Sequence, residues 1–272
     1  MVKYLEEFRD PALARGIVQR LQARHGRPVN LMEVCGTHSV AIFRHGLRQL
    51  LPQGVRMLSG PGCPVCVTPN GDLDWAIALA QQPNVILATY GDMLKVPGSY
   101  SSLAQAKAEG CQVKIVYSTL DALKLAQSNP DRRVVFLAVG FETTAPTAAA
   151  SIVEAQRRNI KNYLVFSVHK LIPPAMKALL DSGEVRIDGF LCPGHVSTVI
   201  GAQPYEFIAR DYGVPCVIAG FEPLDILQAI DGLLRQIDEG RAEVEIQYSR
   251  AVRRQGNPTA VELMSKVFRV SD

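Results

Sequence analysis

Short runs rich in β-branched residues recur along the chain and alternate with stretches of helical periodicity. Eight runs read as strands: Val29 to Val34, Val55 to Leu58, Val85 to Tyr90, Val113 to Tyr117, Arg133 to Val139, Tyr163 to Val168, Ile187 to Leu191 and Pro215 to Ala219. Apolar residues three and four apart mark helices over Asp72 to Gln82, Thr147 to Asn159, Pro173 to Leu180 and Pro223 to Glu239. This alternation predicts βαβ units and parallel sheets. Eight strands with such short crossovers overfill one sheet. The pattern therefore favours an α/β fold of two doubly wound parallel-sheet domains facing a central cleft, with a single eight-stranded βα barrel as the alternative. The first domain is expected over residues 1–120 and the second over 121–240. In the tail, residues 241–272, a short strand over Val244 to Tyr248 and a helix over Thr259 to Phe268 are expected to pack back on the first domain.

Composition supports a folded chain. Hydrophobic residues make up 47% of the 272 and charged residues 20%, which suits a globular protein and not a disordered one. The formal charge of +3 is the balance of 29 basic and 26 acidic residues, with no basic tract to follow a phosphate backbone, so nucleic acid is not an expected partner. Met1 to Asp10 is polar and acidic, and no apolar run reaches the ~18 residues of a membrane span, which points to the cytoplasm.

Six cysteines in a chain this long do not form a disulfide framework. Cys111 and Cys216 fall in apolar runs and read as small buried hydrophobes. Cys35, Cys63, Cys66 and Cys192 fall in Gly/Pro-rich loops, where packing explains them poorly.

In Glu33-Val-Cys35-Gly-Thr-His38 a strand gives way to a helix, and Cys35 meets the helix N-terminus. Unsatisfied amides there favour thiolate over thiol, making Cys35 a candidate nucleophile or soft-metal ligand, with His38 placed to orient a ligand or move a proton. The bland alternative is a turn-filling cysteine and a capping or solvated histidine. Gly60-Pro-Gly-Cys63-Pro-Val-Cys66 also follows a strand and reads as a dithiol/disulfide couple; a closed zinc site needs four ligands, and no second Cys-x-x-Cys exists. One βαβ crossover separates Cys35 from Cys63. Both are thus expected at the carboxyl edge of one parallel sheet, within about 10 Å.

Two further strand-end loops, Gly140-Phe-Glu142-Thr143-Thr144-Ala-Pro146 and Cys192-Pro-Gly194-His195-Val-Ser197, are expected to rim the second domain's crevice. The threonines suit a small anion at a helix start and His195 a proton; helix caps and a polar turn residue are the dull readings. Glu142 and His195 are also a conceivable acid and base of a small-molecule enzyme. Ala219-Gly-Phe-Glu222 echoes Val139-Gly-Phe-Glu142. Tyr90-Gly-Asp-Met93 and Ser167-Val-His-Lys170 are less specific clusters, and His25 and His45 read as solvated surface. No P-loop or complete Gly-x-Gly-x-x-Gly is present, which argues against nucleotide binding.

Taken jointly and in this order, the four motifs around Cys35, Cys63 and Cys66, Thr143 and Thr144, and His195 resemble the HypD family of hydrogenase maturation proteins. The resemblance implies an assembly scaffold, not a conventional enzyme, that works with HypC and HypE to build an iron centre carrying cyanide and carbon monoxide. It implies Cys35 as the iron ligand, Cys63 and Cys66 as the redox couple with His38 and His195 beside them, and Glu142, Thr143, Thr144 and Gly194 lining the assembly cleft. Soft thiolate ligation with few protein ligands leaves positions for the diatomic groups. The family usually continues into a cysteine-rich segment holding a four-iron cluster; the last cysteine here is Cys216, so that cluster is not expected in this chain. A thiol-disulfide oxidoreductase acting through Cys63 and Cys66 is the alternative function.

Overall fold

The computed structural model describes residues 6–24 and 26–271; His25 lies outside them. In chain order the elements are α1 (Pro11–Gln22), β1 (Val29–Glu33), α2 (Gly36–Arg44), β2 (Val55–Ser59), α3 (Asn70–Ala80), β3 (Val85–Thr89) and α4 (Leu103–Ala108). Then follow β4 (Val113–Ile115), α5 (Thr119–Gln127), β5 (Arg133–Ala138), α6 (Ala145–Arg157), β6 (Tyr163–Ser167) and α7 (Ile172–Ser182). The last are β7 (Gly189–Pro193), α8 (Gly194–Ile200), α9 (Glu206–Tyr212), β8 (Cys216–Ala219), α10 (Pro223–Asp238), β9 (Val244–Ile246) and α11 (Pro258–Val267). Each of the eight expected strands is present, and β9 falls within the ninth candidate.

The strands form two parallel sheets, β2-β1-β7-β8-β9 and β4-β3-β5-β6, and no closed barrel occurs among the described residues. In each sheet the strand order reverses once, between β1 and β7 and between β3 and β5, so both are doubly wound. The chain divides into two compact units. One takes the residues up to Cys63 together with Leu171–Pro258, the other Pro64–Lys170 together with the residues from Thr259 onward. This division differs from the linear boundary near residue 120. Its physical basis is the pairing of β1 with β7, Leu31 opposite Gly189, and of β3 with β5, Val85 opposite Arg133. The tail is shared accordingly: β9 pairs with β8, while α11 belongs with the second unit.

In the first unit, β1, β7 and β8 are almost wholly buried, as interior strands covered on both faces are, whereas β2 and β9 are half exposed at the edges. Ile17 and Leu21 of α1, Ala41 and Ile42 of α2, and Leu227, Ile230 and Leu234 of α10 pack over Leu31, Leu191 and Val217. Each leucine, isoleucine or valine among these contributes about 1.5–3 kcal/mol when fully buried. In the second unit the period-2 alternation of strands is plain. Leu87, Val135 and Leu137 face α3 and α4, while Ile86, Val134 and Phe136 face α5 and α6. No described helix is long and apolar enough to cross a membrane.

Candidate functional site

Parallel sheets collect the loops that follow their strands at one edge, and ligands settle where the strand order reverses. In the first unit that point lies between the loop after β1, holding Cys35, and the loop after β7, holding Gly194 and His195. The loop after β2, Gly60 to Cys63, flanks it on one side, and the loop after β8, Gly220 to Glu222, on the other.

The first two loops touch backbone to backbone. Gly36 N–H donates to Gly62 O at 3.1 Å, and Gly60 N–H to Glu33 O at 2.8 Å. A Cβ on Gly62 would stand 2.6 Å from Gly36 N and 2.7 Å from the Cys35 Cα. Only glycine fits there. Cys63 follows directly, and Cys63 and Cys66 are disulfide-bonded while Cys35 is a free thiol.

Glu33 holds the Cys35 turn from beneath. Its carboxylate is buried, accepts from Cys35 N–H at 3.0 Å, and accepts the Ser39 hydroxyl as well. Burial pushes the Glu33 pKa up, opposed by the Ser39, Cys35 and Ser59 hydrogen bonds and by Arg48. Burial also pushes the Cys35 thiol up. The Thr37 and His38 amides and the Thr37 hydroxyl work against that, and the Glu33 charge adds to it. The thiolate expected from the helix N-terminus is therefore outweighed by desolvation, and Cys35 makes no capping hydrogen bond. A cation that replaces the proton restores the balance.

His38 is fully buried, neither a cap nor a solvated side chain. Its Nε2 lies 2.9 Å from Gly220 O. A carbonyl only accepts, so Nε2 carries the proton and Nδ1 presents a lone pair with no hydrogen-bond partner among the described residues. Phe221 lies between two imidazoles, 4.8 Å from His38 and stacked 3.9 Å from the exposed His195, and Tyr248 meets it edge-on. Burial drives the His38 pKa down to about 4, opposed by the Gly220 and Ala219 carbonyls and assisted by His195. Partial desolvation of the ring stacked on Phe221 lowers the His195 pKa too.

The Gly220 to Glu222 loop is anchored by Asp225, a wholly buried carboxylate. Arg250 grips it bidentately at 2.8 and 2.6 Å, Gln247 donates at 2.9 Å, and Glu222 N–H donates at 3.1 Å as part of a capping box on α10. The guanidinium lies 3.8 Å from the Phe8 ring centroid and 4.4 Å from that of Tyr248.

The second unit's reversal point lies beside the loop after β5. Glu142 is buried, Thr143 exposed and Thr144 half-buried at the N-cap of α6. The Thr144 side chain makes no cap bond. It joins a row instead: His169 Nδ1 is 2.9 Å from the Ser167 hydroxyl and His169 Nε2 is 3.2 Å from Thr144 Oγ1, itself 3.4 Å from Phe141 O. Burial lowers the His169 pKa to about 4.

The structure thus divides the residues expected to act. Cys35, His38, Cys63, Gly194 and His195 belong to the first unit, and Cys66, Glu142, Thr143 and Thr144 to the second. The loop with Gly194 and His195 does not share a sheet with the Thr143 loop, because β7 pairs with β1. Gly194 is buried, and a Cβ there would stand 2.4 Å from Ala219 O, which accounts for glycine by packing. Cys192 is corrected: it lies in β7, fully buried beside Cys216, with its pKa raised by that burial. Among the described residues no group of three or more His, Cys, Asp or Glu is arranged to hold a metal ion.

A family model described as HypD, hydrogenase formation hypA family, matches residues 12–272. This chain belongs to the HypD family. It is 54% identical over 279 residues to the hydrogenase maturation factor HypD of Azotobacter vinelandii, with all of this chain and 74% of that protein aligned. HypD2 of Bradyrhizobium diazoefficiens is 52% identical over 280 residues, again spanning all of this chain and 74% of the relative. HypD of Escherichia coli K12 is 46% identical over 277 residues, covering 99% of this chain and 74% of its own length. Within this HypD-family fold, Asp225, Tyr248 and Arg250 sit at the first unit's sheet edge although no motif named them, while His169 comes from the Ser167 to Lys170 cluster. The Gly-Phe-Glu echo marked the Phe221 loop. No local pattern joins Asp225 to Arg250.

His38 makes a pH prediction. Its folded pKa of about 4 lies below the unfolded value of roughly 6.5, so between them the unfolded state holds more protons. The stability this residue contributes is whole above about pH 6.5 and is lost as pH falls to 4, amounting to about 3 kcal/mol. Urea unfolding of wild type and His38→Gln at pH 7.5 and pH 4 is expected to show that much smaller a pH penalty in the variant. Equal penalties would contradict it.

Proposed function

We propose that this HypD-family chain is a scaffold on which the Fe(CN)2(CO) group of nickel-iron hydrogenases is assembled in the cytoplasm, with HypC and HypE as protein partners. Iron is cargo here. Cys35 binds it by exchanging the thiol proton for the metal, and a single protein sulfur leaves positions for HypC and for the diatomic ligands. Cys63 and Cys66, disulfide-bonded in this structure, form a dithiol/disulfide couple: a thiol-class reductant would return them to the dithiol, and oxidation back to the disulfide would release two electrons and two protons. The His38 Nδ1 lone pair and His195 accept or hand on protons beside the cargo, and Glu142, Thr143 and Thr144 bind small groups at the second sheet edge.

The observation that carries this reading is the contact of the Cys35 and Cys63 loops through Gly36 and Gly62. It supports a thiol and a redox pair acting on one cargo. Anaerobic copurification with HypC and infrared spectroscopy test it. Cyanide and carbonyl stretching bands are expected in wild type and absent in Cys35→Ala. The pairing of Cys63 with Cys66 suits a second reading as well, a thiol-disulfide oxidoreductase. Bandless wild-type protein that reduces protein disulfides would establish that instead.

A further inference from the structure

At the sheet edge of the second unit, three side chains from two loops form one row. Ser167 Oγ is 2.9 Å from His169 Nδ1, and His169 Nε2 is 3.2 Å from Thr144 Oγ1. Backbone pairing holds the loops together, with Val168 N–H donating to Ala138 O and Lys170 N–H to Gly140 O, both at 3.0 Å. Gly140 makes the room: a Cβ there would overlap Thr144 Oγ1 and press on His169 Cδ2 at 3.2 Å. Phe268 backs the imidazole, its ring centroid 6.0 Å away. A hydroxyl, an imidazole and a second hydroxyl in that order are the parts of an activated nucleophile, its base and the group that orients the base.

The groups also have the states that role needs. Burial keeps His169 neutral at neutral pH, with its pKa at about 4. A neutral ring carries one proton, and with it on Nδ1, given to Ser167 Oγ, Nε2 turns a lone pair to Thr144 Oγ1. Phe141 O, the competing acceptor for the Thr144 proton, is farther off at 3.4 Å. Thr144 is half-buried, so a small molecule reaches its oxygen, and its place at the N-cap of α6 sets the positive end of that helix beside charge developing on a carbonyl oxygen. Lys170, next to His169, pairs with Asp72 at 3.3 Å. That cation is already matched, and an uncharged acyl donor suits the place better than an anionic one.

We infer that Thr144, His169 and Ser167 form a nucleophilic relay that cleaves small uncharged esters by acyl transfer to Thr144. Thr144 Oγ1 attacks the ester carbonyl as its proton passes to His169 Nε2, the C–O bond to the leaving alcohol breaks, and that proton departs on the alcohol. Water then attacks the threonyl ester, restoring the hydroxyl and releasing the acid, so the cycle balances with water alone. The inference goes beyond the scaffold reading and does not rest on it, since every group in it belongs to the second unit.

Hydrolysis of p-nitrophenyl acetate by the full chain tests it. A burst of nitrophenolate approaching one equivalent and then slower turnover are expected, with peptide mapping after an acid quench placing the acetyl group on Thr144. Thr144→Val and His169→Gln are expected to abolish the burst and to lower turnover about 100-fold or more, and Thr144→Ser to restore both. Ser167→Ala is expected to lower kcat and leave KM unchanged, and Ser167→Thr to recover it, a split that lost packing alone would not produce. Thermal melts check the fold, and should a variant melt early, the acetyl position in wild type decides. No turnover above that of buffer, acetyl groups only on lysine or Cys35, or wild-type turnover in Thr144→Val would each overturn the relay. The cyanide and carbonyl bands that test the scaffold reading are untouched by any of these results.

Discussion

Gly62→Ala is expected to slow hydrogenase maturation by at least about 100-fold. The added carbon would stand 2.6 Å from Gly36 N and 2.7 Å from the Cys35 Cα and carbonyl carbon. All three are backbone atoms, so no rotamer change relieves the clash, and the two loops must part by around an ångström. Displacements of that size at a reacting centre cost on the order of 100-fold in rate. The Gly36 to Gly62 hydrogen bond is lost with them. Cys35 should also alkylate faster as its cover opens. Gly16→Ala is the control, since nothing lies within 4 Å of its new methyl in the middle of α1. Helix propensity there predicts a gain of up to about 1 kcal/mol. Maturation within twofold of wild type for Gly62→Ala would show that the contact between the loops is incidental.

Asp225→Ala is expected to lower the unfolding free energy by about 3–5 kcal/mol, the range for breaking a buried ion pair from one side. Asp225 has no exposed surface, and its removal strands Arg250, whose side chain is only 17% exposed, between Phe8 and Tyr248. It also deprives the Glu222 amide of its acceptor and leaves the Gln247 amide only that of Gln228. Because this carboxylate anchors the loop carrying Gly220 and Phe221, the His38 hydrogen bond should loosen too. Urea unfolding measures the first effect and imidazole NMR shifts the second. The partly exposed cluster of Arg241 with Glu239, Glu243 and Glu245, in which Glu243 is exposed, provides the contrast. Glu243→Ala is expected to change stability by less than about 1 kcal/mol. A similarly small effect at Asp225 would mean that Arg250 finds solvent or another partner.

The strands were legible because parallel strands covered on both faces must be continuously apolar. Val85 to Thr89 and Cys216 to Ala219 are buried throughout and read as such from residue type alone. The division into units was not legible. It follows from Leu31 meeting Gly189 across more than 150 intervening residues, and nothing local in either strand names its neighbour. The same holds at the site. Cys35, His38 and Cys63 announce themselves by chemistry at strand ends, but whether burial or helix amides govern the Cys35 thiol depends on how much chain covers it. Cys192 shows the converse, since its Pro-Gly context looked like a loop while β7 runs on through Pro193. Asp225 and Arg250 are common residue types, distinguished only by their complete pairing.

The interruption of the first unit by the second sets an order on synthesis. While the ribosome is still making the segment up to Lys170, β1 has β2 beside it but neither β7 nor the Gly220 carbonyl, so the nascent Cys35 turn lacks one wall and His38 its anchor. The second unit can fold as its own strands emerge. The Cys35 turn therefore gains its last wall only after the ribosome has passed Gly220, with nearly all of the second unit already made in between.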